Sequence, residues 1–204
     1  MKLESFLNLI LPYVPGCPDV VALEHFRRAA RTLCEKTSCS MATTATIYTQ
    51  AGINTYALFL DDQQERVKLQ AVFLDGRAVP IKNALDGARL TATTESGHFA
   101  YLQSGLDLVL SPTPDRDDQE LIVQLIVKPS LAATEIDDEL AEYAQDISFG
   151  AIASLCMLPQ VEWQSIDQAK NMALMFKDRV DTIGIKVSRG FSSSLVGNRR
   201  GRLL

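Results

Sequence analysis

A chain of 204 residues, 47% hydrophobic and 22% charged, carries enough apolar material for one large or two small cores, and its composition excludes a disordered polymer. A formal net charge of −5 excludes a surface that grips nucleic acid all round, because phosphate binding needs clustered Lys and Arg. The short apolar stretch Phe6 to Leu11 ends at Pro12 and falls below the roughly 18 apolar residues of a membrane span, so neither a signal peptide nor an anchor is expected.

The run Leu11-Pro12-Tyr13-Val14-Pro15-Gly16-Cys17-Pro18 is expected to be extended or turning, since its prolines fix φ and oppose helix. From Asp19 to Thr37, Leu23, Phe26, Ala30 and Leu33 recur at steps of three and four, which predicts an amphipathic helix. Asp19 suits its positive dipole end, and Glu24–Arg28 and Arg31–Glu35 are i,i+4 pairs that would hold its solvated face.

Between Ser40 and about Ser130 the residues turn to Thr, Val, Ile, Tyr and Phe, with short runs broken by Gly, Asp and Asn. Strands are expected at Thr43–Thr49, Thr55–Leu60, Arg66–Leu74, Ala88–Thr94, His98–Gln103, Leu106–Leu110 and Glu120–Lys128. Asp75-Gly76 and Ser104-Gly105 read as hairpin turns. Val67, Leu69, Ala71 and Phe73 alternate onto one face, which points to an antiparallel sheet, sandwich or partial barrel.

The helical period returns with Ile136, Leu140, Tyr143, Ile147, Ala151 and Leu155, with Thr134 as N-cap and an end at Leu158-Pro159. A third helix starts at a capping box, Ser165-Ile166-Asp167-Gln168. Its stripe of Ile166, Ala169, Ala173, Phe176, Val180, Ile183 and Val187 spans roughly 33 Å at ~1.5 Å per residue and stops at Arg189-Gly190. The tail that follows is Gly/Ser-rich and basic, has no acidic residue, and is expected to be disordered in an isolated subunit. The expected fold class is therefore α+β. A helical bundle of about three helices (residues 1–39 plus 131–190) holds an inserted antiparallel β domain (40–130) and carries a flexible basic C-terminal arm (191–204).

Candidate chemistry is thin. Cys17, Cys34, Cys39 and Cys156 form no C-x-x-C pair, and with His25 and His98 they give no metal-ligand spacing, so neither a cofactor nor a metal is expected. Cys34 and His25 lie on one helix, about 13 Å apart along its axis, and cannot meet as nucleophile and base; core or surface packing is the reading for the free thiols. His98 beside Phe99 reads as structural. Gly76, Gly87, Gly97 and Gly105 are isolated and make no phosphate loop. Asp115, Asp117, Asp118 and Glu120 lack the glycine and closing glutamate of a calcium loop, and a solvated loop is favoured over a cation site. Arg27, Arg28 and Arg31 could face DNA, but their helical pairing gives a sufficient account. Arg199, Arg200 and Arg202 have no acidic neighbour in sequence.

Two sets of strings resemble the head-to-tail adaptor, or connector, proteins of tailed bacteriophages. One is Leu11-Pro12-Tyr13-Val14-Pro15-Gly16-Cys17-Pro18 running into Ala29-Ala30-Arg31-Thr32-Leu33-Cys34-Glu35-Lys36-Thr37. The other is Gly150-Ala151-Ile152-Ala153-Ser154-Leu155-Cys156-Met157-Leu158-Pro159 with Trp163. Asp75-Gly76-Arg77 and Val127-Lys128-Pro129-Ser130 resemble pieces of the family's β insertion. The family is richer in Arg and Ala where this chain has Met172, Leu174, Met175 and Phe176, an apolar surface that faces either a neighbouring subunit or a different core.

The resemblance implies a structural virion protein at the head-tail junction, made in the bacterial host cytoplasm, and no enzyme. It implies a ring, a dodecamer, bound to the portal and to tail or nozzle proteins, with genomic DNA passing through its lumen without specific binding and no contact with a membrane. Ile166, Ala173, Phe176, Val180, Ile183 and Val187 are expected at subunit packing; Phe191, Arg199, Arg200, Arg202, Leu203 and Leu204 are expected to dock on the portal. Two alternatives are a nucleic-acid-binding module that uses the Arg-rich arm, and a small enzyme with a pocket in the β region that holds His98 with acidic residues.

Overall fold

A computed structural model describes residues 1–83, 98–103 and 105–190. The expected strand Ala88–Thr94, Gly87, Gly97, Ser104 and the C-terminal arm lie outside the described residues.

The Pro-rich start is more regular than its prolines suggest. Leu3–Leu9 and Leu11–Tyr13 form 3₁₀ helices, with Pro12 in the first turn, where its missing N–H removes no bond. Leu3, Phe6, Ile10 and Val14 are buried at steps of three and four, so this segment folds onto the helices. Helix α1 (Asp19–Thr37) has the expected ends; Ser38, in the left-handed region at φ 58°, closes it by donating its N–H to Cys34 O at 2.9 Å. Its buried edge, Ala22, Phe26, Ala29, Ala30, Leu33 and Cys34, is the one its apolar period marks.

The second expected helix is divided. Helix α2 (Asp138–Ala141) is a single turn and helix α3 runs over Ala144–Cys156, with the break at Glu142-Tyr143. Thr134 does not cap it; its N–H donates to the Gln63 side-chain oxygen at 2.7 Å, and that loop is held to the β region. Ile136, Leu140, Ile147, Ala151 and Leu155 nevertheless remain on one buried side. Helix α4 (Ile166–Ser188) begins where expected. Ser165 Oγ accepts the Gln168 N–H at 3.4 Å, but the Gln168 amide donates to Tyr13 O at 3.5 Å and does not reach back, so only half of the capping box forms. The class is α+β, as expected. In the helical part the three long helices α1, α3 and α4 share one core with the α2 turn and the two 3₁₀ helices. None of the described helices is long and apolar enough to cross a membrane.

Residues 41–129 build two sheets. One has the order β1 (Met41–Thr43), β8 (Glu120–Pro129), β4 (Gln64–Leu74), β5 (Arg77–Ala78), with β2 (Ile47–Tyr48) also on β8; the other has the order β3 (Thr55–Ala57), β7 (Asp107–Ser111), β6 (Phe99–Leu102). All strand pairs are antiparallel. Their inner faces, Val72, Leu74, Leu121, Val123, Leu125 and Val127 against Tyr56, Leu58, Ala100, Leu108 and Leu110, enclose one apolar core, which makes the sheets a sandwich.

Asp75-Gly76 forms the β4–β5 turn, both residues at positive φ (50° and 71°), the geometry that a two-residue hairpin favours and that Asp-Gly adopts at low cost. The alternation expected along β4 does not hold. Register shifts between Arg66 and Lys68 and between Leu69 and Ala71 reverse the phase, so Leu69 is followed into the core by Val72 and Leu74, while Ala71 and Phe73 turn to the other face.

Candidate assembly surfaces

Helix α4 presents two faces. Ala169, Val180 and Ile183 are buried, and Met172, Phe176 and Val187 pack half-buried against the same helical core. Of the residues expected at subunit packing, Phe176, Val180, Ile183 and Val187 pack against the helical core of their own chain. A three-and-four stripe marks a face that must be buried, but not against whom. Ala173, expected on that stripe, is exposed, and Ile166 is 54% exposed; the helical turn puts Met172 inside instead.

The extra apolar residues of this helix accordingly divide. Met172 and Phe176 point in, whereas Leu174, Met175 and Ile185 are 66%, 42% and 52% exposed. Leu174, Asp178, Asp181 and Ile185 succeed each other at steps of four, three and four, which draws one exposed edge, apolar at its ends and acidic between. Sequence alone carried this signal, as an apolar pair offset from the main stripe by half a turn.

At its C-terminus α4 ends as expected: Arg189 closes it and Gly190, at φ 59°, donates its N–H to Val187 O at 2.9 Å. Phe191, Arg199, Arg200, Arg202, Leu203 and Leu204 lie outside the described residues.

A charged junction seats the sandwich on the helices. Arg27 and Arg28 both hold Glu24, at 2.6 and 2.9 Å, and Arg27 also reaches Ala133 O. The expected Arg31–Glu35 pair is not made. Arg31 crosses to Glu65 of β4 at 2.9 Å and to Pro129 O of β8 at 2.6 Å, while Glu35 is taken by Lys128 of β8. The Arg31 guanidinium holds the Glu65 carboxyl below the usual carboxylate range, with the Leu131 N–H and the Lys128 ammonium acting in the same direction. A partner far in sequence and close in space outcompetes an exposed i,i+4 pair, which is worth only about 0.3–0.5 kcal/mol. The helical pairing expected for these arginines thus holds for Arg27 and Arg28 on Glu24 but not for Arg31, which reaches across to β4 and β8.

Helices α1 and α3 are also linked by His25, whose Nδ1 lies 2.7 Å from Ser154 Oγ; that hydroxyl donates to Ala151 O, so the imidazole N–H is the donor. Burial, and next the Arg28 charge, push the His25 pKa down. The depressed folded-state value means that the unfolded chain binds the proton more readily, so this stabilisation is present above the ordinary histidine pKa and is lost as pH falls through the folded value. We expect urea midpoints to drop further between pH 7.5 and 5.5 in the parent chain than in His25→Gln; equal drops would show that the imidazole contributes nothing.

The sandwich has an open polar pocket of about 670 Å³ that brings His98 together with Asp75, Asp115, Arg77 and Arg116. Asp75 is committed there, since its two oxygens accept Glu120 N–H and the Gln119 amide at 2.9 and 3.0 Å. His98 Nδ1 lies 3.2 Å from Pro112 O. The acidic loop 115–118 is tied down by Asp117, which accepts the Ala51 N–H at 2.7 Å, and by the Asp118 N–H on Thr49 O. Among the described residues no three His, Cys, Asp or Glu side chains converge to hold a metal. All four cysteines are free, Cys17, Cys34 and Cys156 buried and Cys39 half-buried.

No protein-family model matches the chain, and no curated protein matches it.

Proposed function

We propose that the chain is a structural virion protein, a head-to-tail adaptor of a tailed bacteriophage whose copies form a ring, a dodecamer, below the portal. The observation that carries this reading is spatial. The strings that bear the resemblance are far apart in sequence and meet in one core. Val14 and Cys17 come from the first, Ala29, Ala30, Leu33 and Cys34 from the second, and Ala151, Ile152, Leu155 and Cys156 from the third, with Leu158 and Trp163 packed against them. The likeness therefore belongs to one folded body, with the sandwich inserted between α1 and α2.

An adaptor works through geometry: a heterologous contact repeated about an axis closes a ring, extends the DNA channel and offers a new face to the tail. On this reading the exposed α4 edge from Leu174 to Ile185 is the surface left for a neighbouring subunit, since the inner stripe is already filled. The arm with Arg199, Arg200 and Arg202 docks on the portal, Phe191, Leu203 and Leu204 supply apolar anchors, and the sandwich faces tail or nozzle proteins. An acidic subunit suits a lumen through which DNA slides without being held.

Electron microscopy of the purified chain mixed with its portal tests this. We expect closed rings seated on the portal, and loss of that seating on deletion of residues 192–204; a monodisperse monomer that binds neither portal nor tail components would overturn the proposal. A salt-sensitive gel shift that disappears with the same deletion would instead support the nucleic-acid-binding alternative. The enzyme alternative has the His98 pocket in its favour, although the commitment of Asp75 leaves Asp115 as the acid there.

A further inference from the structure

Two adjoining hollows run from the end of α4 along the open edge of the larger sheet. The first, about 330 Å³, is walled by Met41, Glu139, Glu142, Tyr143 and Val187. The second, about 430 Å³, is lined by residues 41–45 and 59–61 with Asp137, Asp138 and Glu139. Met41 and Glu139 line both, so the two form one groove that starts at the last turn of α4. Its wall carries the carboxylates of Asp61, Asp137, Asp138, Glu139 and Glu142, and no Lys or Arg among the described residues. Asp137 accepts the Gln64 amide and Asp138 lies 3.5 Å from the N-terminal ammonium, but Glu139 and Glu142 are exposed and have no cation partner among the described residues.

The groove also offers apolar surface and main-chain groups. Phe59, on its rim, is 82% exposed, and Met41 is exposed beside it. Strand β1 is the last of its sheet. Ser40 O and Thr44 N–H bond to β8, so by antiparallel alternation the main-chain groups of Met41 and Thr43 face away from β8, to the open edge. Thr44, 8% exposed, lines the groove, and its Oγ1 has no hydrogen-bond partner among the described residues.

We propose that this groove is the docking site of the chain's own C-terminal arm, residues 191–204. An occupant of the groove has to bring cations, apolar side chains and unpaired main-chain groups. The arm brings Arg199, Arg200 and Arg202 without an acidic residue, then Leu203 and Leu204. Its starting point is also right: Val187 lines the groove, and Gly190, at φ 59°, turns the chain at the helix end three residues later. The nine residues from Gly190 to Arg199 span at most about 30 Å, against ~13 Å for residues 41–45 of the groove wall. Tethering so short holds the arm at an effective concentration in the millimolar range, above that of an arm from a second copy in dilute solution. The arginines face the carboxylates of Asp61, Asp138 and Glu139, and the terminal leucines cover Phe59 and Met41. The groove assignment does not depend on the adaptor reading; on that reading the arm leaves this site when it meets the portal.

The isolated full-length chain, without portal, carries the test. With p-benzoylphenylalanine in place of Phe59, photolysis is expected to cross-link position 59 to the arm of the same chain, in a yield that dilution does not change. Glu139→Lys is expected to cut that yield several-fold, and so is the combination of Arg199→Glu, Arg200→Glu and Arg202→Glu. Exchange of the Met41 and Thr43 amides is expected to be on the order of tenfold slower in the parent chain than in the triple arm variant, whose substitutions lie outside the folded body. Cross-links that never reach the arm, arm cross-links that occur only between two copies and fade on dilution, or a yield unaltered by either charge change would overturn the proposal. Equal exchange at Met41 and Thr43 in the two chains would overturn it as well, with no photoprobe in the fold.

Discussion

Phe26→Ala is expected to lower the unfolding free energy by about 3–5 kcal/mol, as loss of a fully buried aromatic side chain does. Phe26 has no exposed surface, and its ring stacks on Phe6 with centroids 5.1 Å apart and planes 11° from parallel. Truncation removes the transfer free energy of the ring and also leaves a void against the Leu3–Leu9 segment. Leu3–Leu9 is a 3₁₀ helix, with poorer hydrogen-bond geometry than an α-helix, and stays in place because Leu3, Phe6 and Ile10 are buried. The loss should therefore appear in two measurements: a lower urea midpoint by circular dichroism, and earlier proteolytic cleavage within the first ten residues. Val20→Ala on the same helix, at a side chain 78% exposed, should change neither. A loss below about 1 kcal/mol for Phe26→Ala would show that the N-terminal segment repacks into the space.

What was legible in the sequence follows from which forces are local. Helix α1 could be read from Asp19 to Thr37 because its apolar period and its acidic first turn lie within its own residues. The Asp75-Gly76 turn could be read for the same reason, as its positive φ values are a demand on two residues only. The phase of β4 could not, because the register shifts near Val67 and Gln70 are set by pairing with β8, more than fifty residues away. The break between α2 and α3 escaped detection because the apolar stripe from Ile136 to Leu155 runs across it unbroken; period reports which side is buried and is silent on a two-residue interruption of the backbone.

The same distinction governs the candidate surfaces. That α4 buries one stripe, with Phe176 on it and Leu174 off it, was legible; that the stripe is met by α1 and α3 was not. Arg31 illustrates the point for charge: its nearest acid in sequence space, Glu35, loses to Glu65, because β4 is brought alongside α1 by the fold.

Gly150→Val is expected to cost about 2–3 kcal/mol, the upper part of the range for overpacking. A Cβ at Gly150 would lie 3.0 Å from Ala29 Cβ and 3.1 Å from Cδ1 and Cδ2 of Phe176, so one backbone position on α3 is where α1 and α4 both close in. Phe176 can shift by a few tenths of an ångström, but Ala29 Cβ is fixed to the α1 backbone and moves only if the helix moves. Gly150→Ala should be milder, because the gain of about 1 kcal/mol in helix propensity offsets much of the squeeze. The contact with Ala29 can be isolated by a double-mutant cycle. Ala29→Gly alone should destabilise by about 1 kcal/mol through propensity, yet in the Gly150→Ala background it should cost less, because it restores the clearance. Additive effects would mean that the helices yield without strain. Coupling would show that α1 and α3 approach as closely as they do because residue 150 has no side chain, and would place the docking of α4 under the same constraint, through Phe176.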